Sequence, residues 1–305
     1  MDNNLNVTYL TLDGYVEVHK YRYLYFVIMF TAYILIICSN STIVCLIVIH
    51  KNLHEPMYIF IAALLLNSVL LSTAAYPKIL TDVLSEKQII SYSACLFQWF
   101  IYYFISGSEI YLLAAMSYDR YVSICKPLQY PTIMRKTNIC IVLVVAWLLP
   151  FCQTAVPVVI SADAKLCKFN FKGIICSSAV LKLRCVSSIV LYVNGLVALV
   201  NAIILPVLFI LFTYIRIFII TYRSGREVRR KAAQTCLPHL IVLINYTCLF
   251  GFDVLIARLE IDFPAIVRLI MTLQMILYHP LFNPIIYGLK MKEIYKHLRK
   301  LFCPG

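Results

Sequence analysis

Charge is scarce in this chain. Of its 305 residues only 13% are Asp, Glu, Lys or Arg, while 62% are hydrophobic and the mean hydropathy is +0.85. Soluble domains use roughly 25% charged residues. A water-soluble fold could not keep so much apolar surface dry, so a soluble globular protein is excluded. Glycine and proline are sparse too, at eight and twelve residues, too few for a collagenous or disordered chain. No Gly/Ser linker, internal repeat or low-complexity tract divides the sequence, which is expected to form a single domain over 1–305. Residues 1–23 lack the basic opening and small-residue cleavage site of a secretory signal, so the first apolar run is expected to act as an uncleaved signal-anchor. A nucleophile with its base, a metal cluster and a phosphate-binding glycine loop are also missing. An enzyme is therefore not expected, and the sequence asks for no cofactor.

What the chain does have is seven uncharged apolar runs, at 24–49, 57–76, 92–118, 138–160, 186–215, 232–252 and 269–289, broken by one charged residue, Glu109. Each is long enough to cross about 30 Å of hydrocarbon. Backbone amides facing lipid find no water, and the runs are too long and unalternating for barrel strands, so each is expected to be a helix. With the basic amphipathic stretch at 290–302, the reading is an all-α membrane protein, a seven-transmembrane helix bundle with a short amphipathic C-terminal helix.

The formal charge of +13 is unevenly placed. With the amino terminus outside, sixteen of the 27 Lys and Arg and four of the 14 acids fall on cytoplasmic segments, netting +12 inside, +2 outside and −1 for Glu109. Basic residues accumulate on the cytoplasmic side of short loops. The expected placement is therefore a multi-pass plasma-membrane protein with an extracellular N-terminus and a cytoplasmic C-terminus. Its positive face meets anionic lipid and cytoplasmic partners rather than nucleic acid. Asn6-Val7-Thr8 is a glycosylation acceptor on the outer side. Cys95, Cys167, Cys176 and Cys185 lie in the same oxidising territory and suggest two bridges, with three pairings open. Cys38, Cys45, Cys140, Cys152, Cys236 and Cys248 lie in the runs and read as small apolar packing residues. Cys303, past the amphipathic stretch, is either a lipidation site or a plain surface thiol.

Several short strings sit at the ends of these runs. Asp119-Arg120-Tyr121 closes the third, Pro206 lies in the fifth and Asn283-Pro284-Ile285-Ile286-Tyr287 in the seventh, and together they resemble the rhodopsin-like family of G-protein-coupled receptors. Pro56-Met57-Tyr58, the string MSYDRYVSIC at 116–125 and KAAQTCLPH at 231–239 look like the odorant-receptor signatures of that family. The overall run is most similar to the fish odorant receptors, and the resemblance covers the chain from about 24 to 302. It implies a receptor that binds a small-molecule odorant in the outer half of the bundle and activates a heterotrimeric G protein, of the olfactory stimulatory type, at the cytoplasmic face. It also implies disulfides Cys95–Cys176 and Cys167–Cys185, and a switch made of Asp119, Arg120, Tyr121, Tyr214, His239, Asn283, Pro284 and Tyr287. A non-olfactory receptor of the same family is the alternative. A transporter or channel, the rival from another class, usually shows repeats or several facing intramembrane charges, which this sequence lacks.

The residues support physical readings of their own. An arginine at a membrane boundary must pair or meet water, and Asp119 is the adjacent partner for Arg120. Pro284 frees the carbonyl of Pro280, which nearby polar side chains are expected to satisfy. Asn40, Asn67, Ser68 and Asn283 are expected to form one polar cluster across the bundle, as a switching network or as packing glue. Glu109, the one acid in the spans, is expected to be protonated, to bond a neighbour such as Ser68, tying the second span to the third, or to hold a sodium ion. Where this sequence has Ser68 the wider family has an aspartate of its sodium site. His239 and His279 lack metal-ligand spacing; His239 is expected near Arg120 and His279 in packing. The expected ligand wall is Tyr102, Tyr103 and Ser106 from the third span, Ala198 and Ala202 from the fifth, and Thr247, Phe250, Gly251 and Val254 from the sixth. Tyr102 stands where amine receptors carry an aspartate, which argues against a biogenic amine. Thr247 stands where most odorant receptors carry a tyrosine, so the aromatic trigger expected there is missing.

Overall fold

The computed structural model describes residues 8–223, 225, 230, 236–237, 240–251 and 264–302. Its helices, in chain order, are α1 (Val18–Ile49), α2 (Pro56–Leu84), α3 (Tyr92–Cys125), α4 (Lys136–Ala162), α5 (Ile189–Tyr222), α6 (Leu240–Gly251 in its described part), α7 (Ala265–Lys290) and α8 (Lys292–Phe302). All but α6 and α8 are long and apolar enough to span a membrane, and α6 is a shorter apolar helix. The protein is a seven-helix membrane bundle followed by an amphipathic helix. Most helices outrun the apolar stretches that mark them. Thus α2 continues from Tyr76 to Leu84, where Lys78 pairs with Asp82 one turn on. An apolar run stops at the first charge, whereas the helix continues until its backbone reaches water.

The axis of the bundle is α3. Two-thirds of its central span is buried, at 67%, against 17% of that of α5. It approaches α4 closely at Gly107, where an added Cβ would lie 2.9 Å from the Pro150 ring. The outward faces of α1, α4 and α5 are apolar, with Val27, Val159 and Phe218 all well exposed, as lipid-facing surface should be. The span cysteines belong to that surface. Cys38, Cys45, Cys140, Cys152 and Cys248 are exposed free thiols and Cys236 is half-buried, so five of these six small apolar residues lie on the outside of the bundle.

Prolines leave carbonyls without their helical amide, and two neighbours supply the missing donors in α7. Asn40 Nδ2 donates to the Pro280 carbonyl, 2.8 Å, and the Tyr76 hydroxyl to that of Ile276, 3.2 Å. These are the carbonyls four residues before Pro284 and Pro280. Around Ile276 α7 widens into a π-helical turn, Gln274–Tyr278, and α5 does the same at Val200–Ile204, just before Pro206. In α5 the Asn201 carbonyl accepts from Tyr111 of α3, 2.9 Å.

One end of the bundle carries a small sheet that the apolar runs did not announce. Strand β1 (Tyr9–Leu12) lies between β2 (Ile89–Ser91), antiparallel with Leu10 opposite Ile90, and β3 (Asn170–Phe171), parallel with Leu12 opposite Phe171. Alternation puts Leu10 and Leu12 inward on a cluster with Trp99, Phe171 and Val180. Just beyond, an added Cβ on Gly14 would fall 2.3 Å from the backbone of Gly173, so only glycine lets these strands meet.

Candidate functional site

Many of the bonds that cross the bundle end on α3, and they divide into three levels. At the sheet-bearing end, Cys95 is joined to Cys176 and Cys167 to Cys185, with Cα–Cα distances of 5.4 and 4.9 Å. This is the pairing that the family resemblance implied. The first bridge ties the loop after α4 to the start of α3, reinforced by the Cys176 amide donating to Gln98 Oε1 at 2.9 Å. Between this loop and helices α3, α5, α6 and α7 lies a cavity of about 1030 Å³, lined among others by Tyr102, Ser178, Leu191, Leu249 and Thr272.

Among the described residues of the expected ligand wall, Tyr102 alone lines that cavity. Tyr103 reaches its edge, bonded through its hydroxyl to Ser178 Oγ at 3.1 Å. Ser106 and Phe250 lie buried, and Ala198, Ala202, Thr247 and Gly251 are half-buried. Ser106 Oγ and Thr247 Oγ1 are buried without a hydrogen-bond partner among the described residues. Val254 lies outside the described residues, as do Asn6, His239 and Cys303.

The middle level is polar and fully enclosed. Tyr246 donates its hydroxyl to the Ser106 carbonyl, joining α6 to α3. Its ring stacks on Phe250 at 5.7 Å and meets His279 edge-on at 4.7 Å. Nothing in the residue order singles out Tyr246, yet it supplies the aromatic contact that Thr247, its neighbour, cannot. Glu109 Oε1 accepts from Asn283 Nδ2 at 3.2 Å and lies 3.6 Å from His279 Nδ1. Glu109 therefore ties α3 to α7 and not to α2, because Ser68 turns its hydroxyl back to the Leu64 carbonyl of its own helix. His279, expected as packing, is the imidazole beside the acid.

The polar cluster expected from Asn40, Asn67, Ser68 and Asn283 is in fact divided. Asn40 serves α7 at Pro280, Asn67 bonds the Ile105 carbonyl of α3 and accepts from the Trp147 indole of α4, and Asn283 goes to Glu109. The described partners of Glu109 are an amide N–H and an imidazole nitrogen, neither of them an oxygen ligand of the kind a sodium ion takes.

At the opposite end the buried Asp119 is held from two sides. Arg120 Nε donates to its Oδ2 at 3.0 Å and the Tyr130 hydroxyl to its Oδ1 at 2.8 Å. Tyr130 stands on a one-turn helix after α3. Its burial, and then the carboxylate beside it, push the phenol above its ordinary pKa, which keeps it a donor. Tyr121 is half-buried, its ring 6.4 Å from that of Tyr118. Tyr214 of α5 packs on the main core cluster, and Tyr287 and Pro284 of α7 are buried. Helix α8 docks on this end through Ile294 and Leu298, and His297 stacks on His50 with ring centroids 3.9 Å apart.

A bundle of seven apolar helices, bridged from α3 to a loop at one end and carrying a buried acid–arginine pair at the other, is that of a seven-helix membrane receptor. A family model described as olfactory receptor matches residues 29–304. Human olfactory receptor 11A1 is 33% identical over 304 residues, covering 98% of this chain and 95% of that protein. Mouse olfactory receptor 4M1 is 28% identical over 306 residues (98% and 96%), and human olfactory receptor 10K1 33% over 298 (94% and 92%). The chain belongs to the olfactory receptor family of G-protein-coupled receptors. Its function is accordingly odorant reception at the plasma membrane, and the family is not an enzyme class.

Proposed function

We propose that the sheet-bearing end faces outward, with the amino terminus extracellular and Asn6 glycosylated, and that the odorant enters the cavity there. Deeper in the bundle we assign its wall to Tyr103, Ser106, Ala198, Ala202, Thr247, Phe250, Gly251 and Val254, and assign to a ligand's polar atom the hydroxyls of Ser106 and Thr247, which are buried without a hydrogen-bond partner among the described residues. The observation that carries this reading is that α3 runs from the cavity wall to Arg120 and is tied on the way to α6 by Tyr246 and to α7 by Asn283. A ligand that shifts α6 or α7 against α3 must break or remake those bonds, and such bonds have discrete alternatives. The shift ends at Arg120, which leaves Asp119 and meets the G protein, in the company of Tyr121, Tyr214, His239, Pro284 and Tyr287. Coupling to a stimulatory G protein then raises cyclic AMP.

The test is Arg120→Ala. Surface expression should be retained and agonist-stimulated nucleotide exchange abolished. Exchange at the wild-type level in this variant would refute the role given to Arg120.

A further inference from the structure

A second recess, of about 360 Å³, opens on the outside of the bundle between α2, strand β2 and the first turns of α3. Among the described residues it shares no lining residue with the larger cavity. Its floor is made by Ala74 and Ala94, both exposed, and its flanks along α3 by Phe97 and Ile101. Lys78 and Ser91 line its other end. The recess therefore straddles a membrane boundary. Ala74 belongs to the second apolar run and Ala94, Phe97 and Ile101 to the third, whereas Lys78 and Ser91 stand just beyond those runs. From Ala94 to Ile101 the apolar part extends about 10 Å along the helix axis. What meets such a surface is lipid, body in the hydrocarbon and head at the lysine level.

The charge at that level is already matched. Lys78 Nζ donates to Asp82 Oδ1 one turn on and to the Ile89 carbonyl at 2.8 Å. The second bond also holds β2 against α2, and Gln98, another lining residue, accepts from the Cys176 amide at 2.9 Å. The walls are thus fixed before any lipid arrives, which reduces the ordering cost of binding. From these observations we infer that the recess is a sterol site, taking a rigid, flat, neutral lipid with one hydroxyl. The rings lie on the alanine floor between Phe97 and the α2 wall, and the hydroxyl reaches the Ser91 hydroxyl and the Ile89 carbonyl. A phospholipid would bring an anionic phosphate to a lysine already paired with an acid, and its acyl chains would lose rotational freedom in the recess. A sterol carries neither cost. The inference goes beyond the odorant reading and depends only on the bundle crossing a membrane.

The test uses the full chain, purified into phosphatidylcholine nanodiscs and irradiated with a cholesterol analogue that carries a diazirine in its rings. Labelled peptides should cluster at 74–78 and 89–101, saturate with probe and lose their label when unlabelled cholesterol is added. Ala74→Leu and Ala94→Phe fill the floor from exposed positions, and each should lower that labelling about fivefold or more. Thr73→Leu adds similar bulk at an exposed α2 position outside the recess and should leave it unchanged. Label spread evenly over the helices and undisturbed by cholesterol, the mark of surrounding lipid only, would overturn the inference. Unchanged labelling in both filled variants would do the same. Competition on the unaltered receptor tests the head group without any variant. Cholesterol should displace the probe at concentrations about tenfold below those of cholesteryl sulfate, phosphatidylserine or cholestane, which lacks the hydroxyl. An advantage for either anion would show that Lys78 is available to a sulfate or phosphate, and equal potency of cholestane would remove the polar anchor; either result overturns the assignment.

Discussion

The two ends of this bundle are held by different physics. At the sheet-bearing end, two disulfides, a three-stranded sheet and the contact of Gly14 with Gly173 fix the loop after α4 to α3 and to the N-terminal strand. At the Arg120 end the corresponding fixings are hydrogen bonds to one carboxylate and the docking of one amphipathic helix. Covalent bridges and backbone ladders have no nearby alternative, whereas a carboxylate can exchange one donor for another at small cost. A receptor needs both properties, a recognition surface that keeps its shape and a far end able to change its own.

The largest break in that comparison should come from Cys95→Ala. Its bridge spans a sequence separation of 81, against 18 for Cys167–Cys185. Loss of a disulfide costs about 2–5 kcal/mol, more for longer loops in the chain-entropy model. Thermal unfolding of the purified receptor should fall further for Cys95→Ala than for Cys167→Ala, with loss of surface expression following the same order. The reverse order would mean that the shorter bridge, not the α3 anchor, holds the rigid end.

The switchable end should answer in signalling and not in folding. Tyr130→Phe removes one donor to Asp119, and a hydrogen bond to a charged group contributes about 1.5–3 kcal/mol. Basal nucleotide exchange should rise several-fold while expression stays unchanged. Lower basal exchange would show that Tyr130 supports the active arrangement instead. Between the two ends, Glu109→Gln and His279→Gln should be non-additive, since the groups lie 3.6 Å apart in a buried site. A double-mutant cycle on thermal stability should return a coupling of about 0.5–3 kcal/mol. Simple additivity would reduce His279 to the packing role first expected of it.

The smallest effect concerns α8. Burial, and next the neighbouring His50 ring, hold the His297 imidazole below its ordinary pKa. The neutral ring is thus the form that docks, and its contribution is present at neutral pH and lost as the pH falls through the lowered value. Hydrogen exchange of α8 amides should quicken modestly on acidification from about pH 7 to pH 5, around the ordinary histidine value, and His297→Gln should flatten that response. An unchanged pH profile in the variant would assign the loosening to another group.

Much of this architecture was written in the order of residues along the chain. Apolar runs without charge can only be helices in lipid, so the number of spans and their approximate places followed from composition and backbone hydrogen bonding. The carbonyl freed by Pro284 was equally local, being a matter of counting four residues back, and Arg120 had its acid next to it. The disulfide pairing was not derivable from spacing and came from the family resemblance. Less legible were the contacts between helices. Helical periodicity gives the face on which Glu109 lies, but its partner depends on the tilt, rotation and axial offset of α2 and α7, and a small rotation exchanges Ser68 for Asn283 and His279. The same uncertainty divided the asparagine cluster and turned five span cysteines outward.

The sequence by itself determined the solvent, the helices, the family and the acid–arginine pair, because each depends on neighbours in the chain or on the total balance of apolar and charged residues. Only the tertiary structure decided which helix Glu109 addresses, that Tyr246 reaches Ser106, and that β1 completes a sheet with segments about 80 and 160 residues away. Those outcomes depend on where separate elements come to rest against one another, and packing fixes that only once all the helices are in place.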